Sequence, residues 1–60
     1  MPFDAILLEV ERLHHVSERL AKLAEKHPLV SEALMTISGS ILNTATVLEV
    51  LVATKMTRPI

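Results

Sequence analysis

The segment Ala33–Thr54, ALMTISGSILNTATVLEVLVAT, sets the architecture of this 60-residue chain, because its only formal charge is Glu49. Half of the whole chain is hydrophobic and Phe3 is its only aromatic residue, so the apolar content is Leu, Ile, Val, Ala and Met. With one glycine in the chain and no Asn-Gly or Asp-Gly pair, this composition favours helices over strands. We therefore expect an all-α fold in which other helices cover this segment.

The residues before this segment predict an amphipathic first helix. Asp4 is a candidate N-cap, because its carboxylate can accept a bond from a free backbone N–H and suits the positive helix end. Good helix formers then continue to about Lys26. At 100° per residue, one apolar stripe forms, with a charged face opposite it. The stripe contains Ile6, Val10, Leu13, Leu20 and Ala24.

The pair His27-Pro28 predicts a turn between two helices. Proline has no N–H with which to continue a helix, disfavours helical backbone in the residue before it, and suits the first turn of a new helix. The sequence therefore predicts one domain, 1–60, with helix one at about 4–26, a turn at 27–28, helix two at about 28–55 and a frayed tail at 56–60. A single long helix kinked at Pro28 is the alternative, and a break at Gly39 would give three helices.

Helix two is apolar around most of its circumference, which predicts a partner. Its main stripe, expected against helix one, contains Leu34, Ile37, Ile41, Ala45, Leu48 and Val52. A second side remains uncovered in a hairpin, and a helix apolar all round is buried all round. We therefore predict an antiparallel two-helix hairpin that forms a four-helix bundle as a homodimer. The predicted oligomer interface consists of Met35, Ile41, Leu42, Thr46, Leu48 and Val50.

Length and charge agree with self-association. A chain of this size is marginally stable alone, and the absence of cysteine excludes disulfides and thiolate metal sites. The formal net charge of −1 provides no field that would attract nucleic acid or an anionic membrane. Acidic residues come early in the chain, unlike in a signal peptide, so a cytoplasmic location is expected.

No residue pattern in the chain indicates catalysis, and no cofactor is expected. Glu11 and His14 have the Glu-x-x-His spacing of helical metal sites, but one copy is weak evidence, and solvated or boundary residues are the favoured interpretation. Arg12, Arg19 and Lys26 form a thin basic line that could contact RNA, offset by a parallel acidic line.

The sequence thus predicts a small interaction or scaffold protein that is not an enzyme. Its expected partner is a second copy, or an amphipathic helix of another protein docked on helix two. The alternatives are a membrane protein with helix two inserted, a metal-binding bundle and an RNA-binding bundle. Asn43 and Glu49 disfavour membrane insertion, because polar and charged groups are costly in a bilayer.

Overall fold

The chain folds into a helical hairpin, as predicted. The computed structural model describes the backbone of Pro2–Thr57 and the side chains of residues 3–55. Helix α1 spans Pro2–Lys26, a 3₁₀ turn spans Pro28–Val30, and helix α2 spans Ser31–Thr57. The described part of the chain contains no strand. The hairpin is long and thin, with Cα extents of 51 × 16 × 10 Å.

The helix ends differ slightly from the predicted ones. Helix α1 begins at Pro2, so Asp4 lies within the first turn and is not the N-cap. Proline suits the first turn because its missing N–H would be unpaired there, and Asp4 still faces the positive helix end. At the other end, α2 extends two residues beyond Lys55, and the rest of the predicted tail, residues 58–60, lies outside the described residues.

The turn lies at the predicted position. His27 leaves the helical region, with φ −130° and ψ 78°, as expected for a residue before proline. The backbone N–H of Val30 then donates to the carbonyl of His27 at 3.1 Å, which closes the turn. The chain therefore reverses with one non-helical residue, and neither helix needs a glycine cap.

The contact between the helices follows a row of small residues, a feature that the predicted stripes missed. The buried side chains are Val10, Ser17 and Ala24 in α1 and Ser38, Ala45 and Val52 in α2. They recur every seven residues, and with the half-buried Ser31 they form what we call the seam. The large residues of the predicted stripes flank it. In α1, Ile6, Leu13 and Leu20 are half-buried.

In α2 the predicted stripe is centred on the wrong side of the contact. Ala45 and Val52 are buried as expected, and Leu34, Ile41 and Leu48 are half-buried, but Ile37 is 49% exposed. The physical reason is size. Small side chains allow two helices to approach closely, so they occupy the centre of the contact and larger ones are displaced to its sides.

The closest approach along the seam occurs at Ser17 and Ser38. The Ser17 hydroxyl donates to the Ser38 carbonyl at 3.0 Å, and the Ser38 hydroxyl donates to the Ser17 carbonyl at 2.8 Å. The two hydroxyl oxygens are 2.9 Å apart. Because a serine side chain is short, these distances bring the two backbones near the lower end of the ~8–10 Å range of helix separations. They also fix the register, which places Val10 opposite Ala45.

Helix α2 continues through Gly39 without a break. Three threonine hydroxyls bond back to the carbonyl four residues earlier, from Thr36 to Glu32, Thr44 to Ser40 and Thr46 to Leu42. Such bonds satisfy the threonine hydroxyls within the helix itself, so they need no partner from another helix. Asn43, for which we expect a partner across a four-helix bundle, is exposed on the single hairpin.

Candidate association surface

The register of the seam divides the hairpin into two sides. In an antiparallel helix pair, two residues that lie the same number of positions after a seam residue, one in each helix, project to the same side of the hairpin. Residues three after or four before a seam residue project about 40–60° to one side, and residues four after or three before it project about 40–60° to the other. The contact between His14 and Glu49, each four residues after a seam residue, agrees with this division.

The first side carries a ladder of large aliphatic residues, which we call the Leu/Ile face. It consists of Ile6, Leu13, Leu20, Leu34, Ile41 and Leu48. All six are half-buried, because the narrow seam covers only their inner edges. Three residues from each helix therefore form one continuous apolar strip along the hairpin.

Further apolar side chains widen this strip. Leu23, Ile37 and Leu51 directly precede seam residues and are 44%, 49% and 48% exposed. Charge among the described helical residues on this side is confined to Glu9 and Lys55, both near the open end of the hairpin. A continuous exposed apolar strip is typical of an interaction site, so the Leu/Ile face is the candidate association surface.

The residues predicted for the oligomer interface do not share one side. Ile41 and Leu48 belong to the Leu/Ile face. The rest are exposed on the opposite or outer sides of α2, namely Met35, Leu42, Thr46 and Val50. Sequence periodicity grouped them because α2 is apolar nearly all round, and only the position of the seam separates them.

The opposite side is acidic. Every acidic residue except Glu9 has a related position: Glu11, Glu18, Glu25 and Glu32 follow a seam residue by one, Glu49 follows one by four, and Asp4 lies seven residues before Glu11. The described residues of that side include no Lys or Arg. The two sides therefore differ more in charge than in apolar content, because exposed Leu7, Met35 and Leu42 also lie on the acidic side.

His14, the histidine of the Glu-x-x-His spacing, contacts Glu49 and not Glu11. His14 Nε2 lies 3.5 Å from Glu49 Oε1, and their side chains are 41% and 52% exposed. Glu49, which we expect either at the bundle edge or paired with Lys55 or a basic residue of helix one, is about half exposed and contacts His14. Glu11 is exposed. Among the described residues, no group of three His, Asp or Glu side chains could hold a metal ion.

The predicted basic line lies on the outer surface of α1. Arg12 forms an exposed ion pair with Glu9, at 2.6 Å between Nη1 and Oε2. A shallow depression of about 530 Å³ runs along this surface, and its lining includes Arg12, Arg19 and Lys22 together with Glu18. One helix contributes all of these side chains, so the depression is a gap between solvated charges.

Helix α2 also meets the size requirement for a membrane span. The segment Pro28–Lys55 has a mean hydropathy of 1.4 in its most apolar window, and 17% of that window is buried in the hairpin. Length and composition alone support this possibility. The half-exposed carboxylate of Glu49, in the last third of α2 and within the apolar segment, opposes it, because charge inside a bilayer is costly.

Sequence reasoning missed the seam and, with it, the Leu/Ile face. A signal was present, since small residues recur every seven positions at Ser17 and Ala24, and again at Ser31, Ser38 and Ala45. Ranking positions by hydrophobicity hides such a row, because serine and alanine score low although they pack best at a close contact.

Comparisons with protein-family models, with curated proteins and with solved structures give no significant match. What the chain does has therefore to be inferred from its own surfaces.

Proposed function

We propose that this protein is a small self-associating scaffold without enzymatic activity, in which two hairpins pack their Leu/Ile faces together as a four-helix bundle. The observation that carries the proposal is the half-buried ladder of six Leu and Ile side chains, which one chain cannot cover. A second hairpin supplies a matching ladder. We propose that the protein is located in the cytoplasm.

The size of the face fits a second copy. The hairpin is 51 Å long and 16 Å wide between Cα atoms, so a second hairpin can lie along the whole length of the face. Both helices also have almost the same length, 25 and 27 residues, so two hairpins can pack along their full extent.

Charge placement supports the same face. A twofold contact brings like residues together, so a face rich in carboxylates would repel its own copy. The acidic side is disfavoured for that reason, whereas Glu9 and Lys55 at the open end of the Leu/Ile face carry opposite signs. Packing through the Leu/Ile face leaves the carboxylates of both chains in water.

An amphipathic helix of another protein is the second candidate occupant, since it could cover the same strip in a helix-in-groove manner. A bilayer is the third, supported by the hydropathy of Pro28–Lys55. In both alternatives the purified chain does not form a dimer through the Leu/Ile face. A measurement of its oligomeric state therefore separates them from the proposal.

The test is sedimentation equilibrium of the wild-type chain and two aspartate variants in detergent-free buffer. Ile41→Asp places a charge on the Leu/Ile face, where fully burying an aliphatic side chain is worth roughly 1.5–3 kcal/mol. Val47→Asp is the matched control, because Val47 is 59% exposed on the outer surface of the same helix. We expect a dimeric wild type, a dimeric Val47→Asp and a dissociated, largely unfolded Ile41→Asp.

Three results would contradict the proposal. A folded wild-type monomer at micromolar concentration would show that the Leu/Ile face needs no second copy. An Ile41→Asp variant that remains helical and dimeric would place the interface elsewhere. A wild-type chain that stays in the lipid fraction and requires detergent would favour the membrane alternative.

A further inference from the structure

The seam keeps its seven-residue phase across the turn. Ala24 is the last seam residue of α1 and Ser31 is the first of α2, and they are separated by the same seven residues as Ser17 and Ala24. In most hairpins an intervening loop of arbitrary length resets the pattern. Here a helix running straight through His27 and Pro28 would carry the whole seam on one side.

Such a straight helix could pair with an antiparallel copy of itself. The hairpin register places Ser17 of α1 opposite Ser38 of α2, and Val10 opposite Ala45. Two straight chains related by a twofold axis at the His27-Pro28 bond would make each of these contacts twice, between chains. A constant seven-residue repeat suits a long two-stranded helical pair.

The hairpin and the exchanged dimer thus have the same seam, and the turn decides between them. His27 lies outside the helical region because Pro28 follows it, and Pro28 provides no N–H for a continuous helix. The described residues contain no cis peptide bond and no residue with a positive φ. The residue pair His27-Pro28 is therefore the backbone feature that makes the chain reverse its direction.

We propose that the seam is a second self-association surface, which Pro28 closes within one chain and which pairs with a second copy when Pro28 is replaced. The partner is another molecule of this chain, with α1 of each packed on α2 of the other. This assembly uses the seam, not the Leu/Ile face, so it is independent of the function proposed above. Short connections between packed elements are where such exchange arises.

A disulfide between positions 17 and 38 shows whether α1 packs on α2 of the same chain or of a second chain. The natural chain has no cysteine, and the hydroxyl oxygens of Ser17 and Ser38 are 2.9 Å apart, so Ser17→Cys with Ser38→Cys places two thiols in contact. The variant is refolded from urea at several concentrations, oxidised, and separated on a denaturing, non-reducing gel. In the hairpin both thiols belong to one chain, so we expect a monomeric band.

Adding Pro28→Ala to the cysteine pair should convert most of the product to covalent dimer, with a fraction that rises with refolding concentration. The control is Leu29→Ala, since Leu29 is a fully exposed neighbour in the same turn and its loss leaves Pro28 in place. Inserting two glycines after His27 in the Pro28→Ala background should restore the monomeric band, because a flexible turn allows reversal again.

Two results would overturn the proposal. One is a monomeric band from the Pro28→Ala variant at every concentration. The other is loss of its helical circular dichroism signal, because the exchanged dimer is a folded state. Neither bears on the Leu/Ile face: two hairpins packed through that face give a monomeric band, since each seam then remains inside one chain.

Discussion

Replacing Ser38 by leucine should destabilise this protein although it makes an apolar helix more apolar. The Ser38 hydroxyl lies 2.8 Å from the Ser17 carbonyl oxygen and 2.9 Å from the Ser17 hydroxyl oxygen. At these distances the seam has no room for the branched end of a leucine, so the helices must separate or the side chain must leave its preferred rotamer.

The magnitude follows from two losses. Overpacking a tight contact costs about 1–3 kcal/mol, and removing the hydrogen bond donated by Ser38 costs about 1 kcal/mol more. Ser38→Leu should therefore lower the free energy of unfolding by about 2–4 kcal/mol. Ser38→Ala loses only the hydrogen bond and gains helix propensity, so its cost should be about 0.5–1 kcal/mol.

The assay is urea denaturation followed by circular dichroism, with all variants at one protein concentration so that association does not alter the comparison. Ser40→Leu is the matched control, because Ser40 is exposed two residues away in the same helix. We expect it to change the free energy of unfolding by less than ~0.5 kcal/mol. A Ser38→Leu variant as stable as Ser38→Ala would show that the two helices do not approach closely there.

Gly39→Ala should stabilise the protein by about 0.5–1 kcal/mol, because an added Cβ meets no atom within 4 Å and alanine has the higher helix propensity. Thermal unfolding measures this, and a lower melting temperature would reveal a partner packed against that glycine. Glu49→Gln should change the free energy of unfolding by less than ~1 kcal/mol, since its contact with His14 is about half exposed. Added Zn²⁺ should leave the melting temperature unchanged; a rise that disappears in His14→Ala would support the metal-binding alternative.

The sequence was sufficient for the helical hairpin, because its signals are local. Pro28 acts on its own neighbours, and the continuity of α2 through Gly39 follows from the apolar pattern on both sides of that glycine.

The seam could not be placed as readily, because it depends on how closely two distant segments approach. Ser17 and Ser38 are polar residues when each helix is considered alone. They become buried because two small side chains face each other at the same height of the hairpin. The predicted interface groups Met35 and Leu42 with Ile41, although on the hairpin they project to the other side of the seam; the interface itself stays a prediction.

The small size of the seam residues has a consequence for regulation. Only four hydrophobic side chains are buried among the described residues, and Val52 is the largest that is fully buried, so an isolated hairpin gains little from burial. In the proposed assembly most of the stabilisation comes from the second molecule, and the folded fraction then rises with the amount of protein made. If the proposed dimer forms, abundant copies would persist as folded pairs, whereas scarce copies would unfold more often and be exposed to proteolysis.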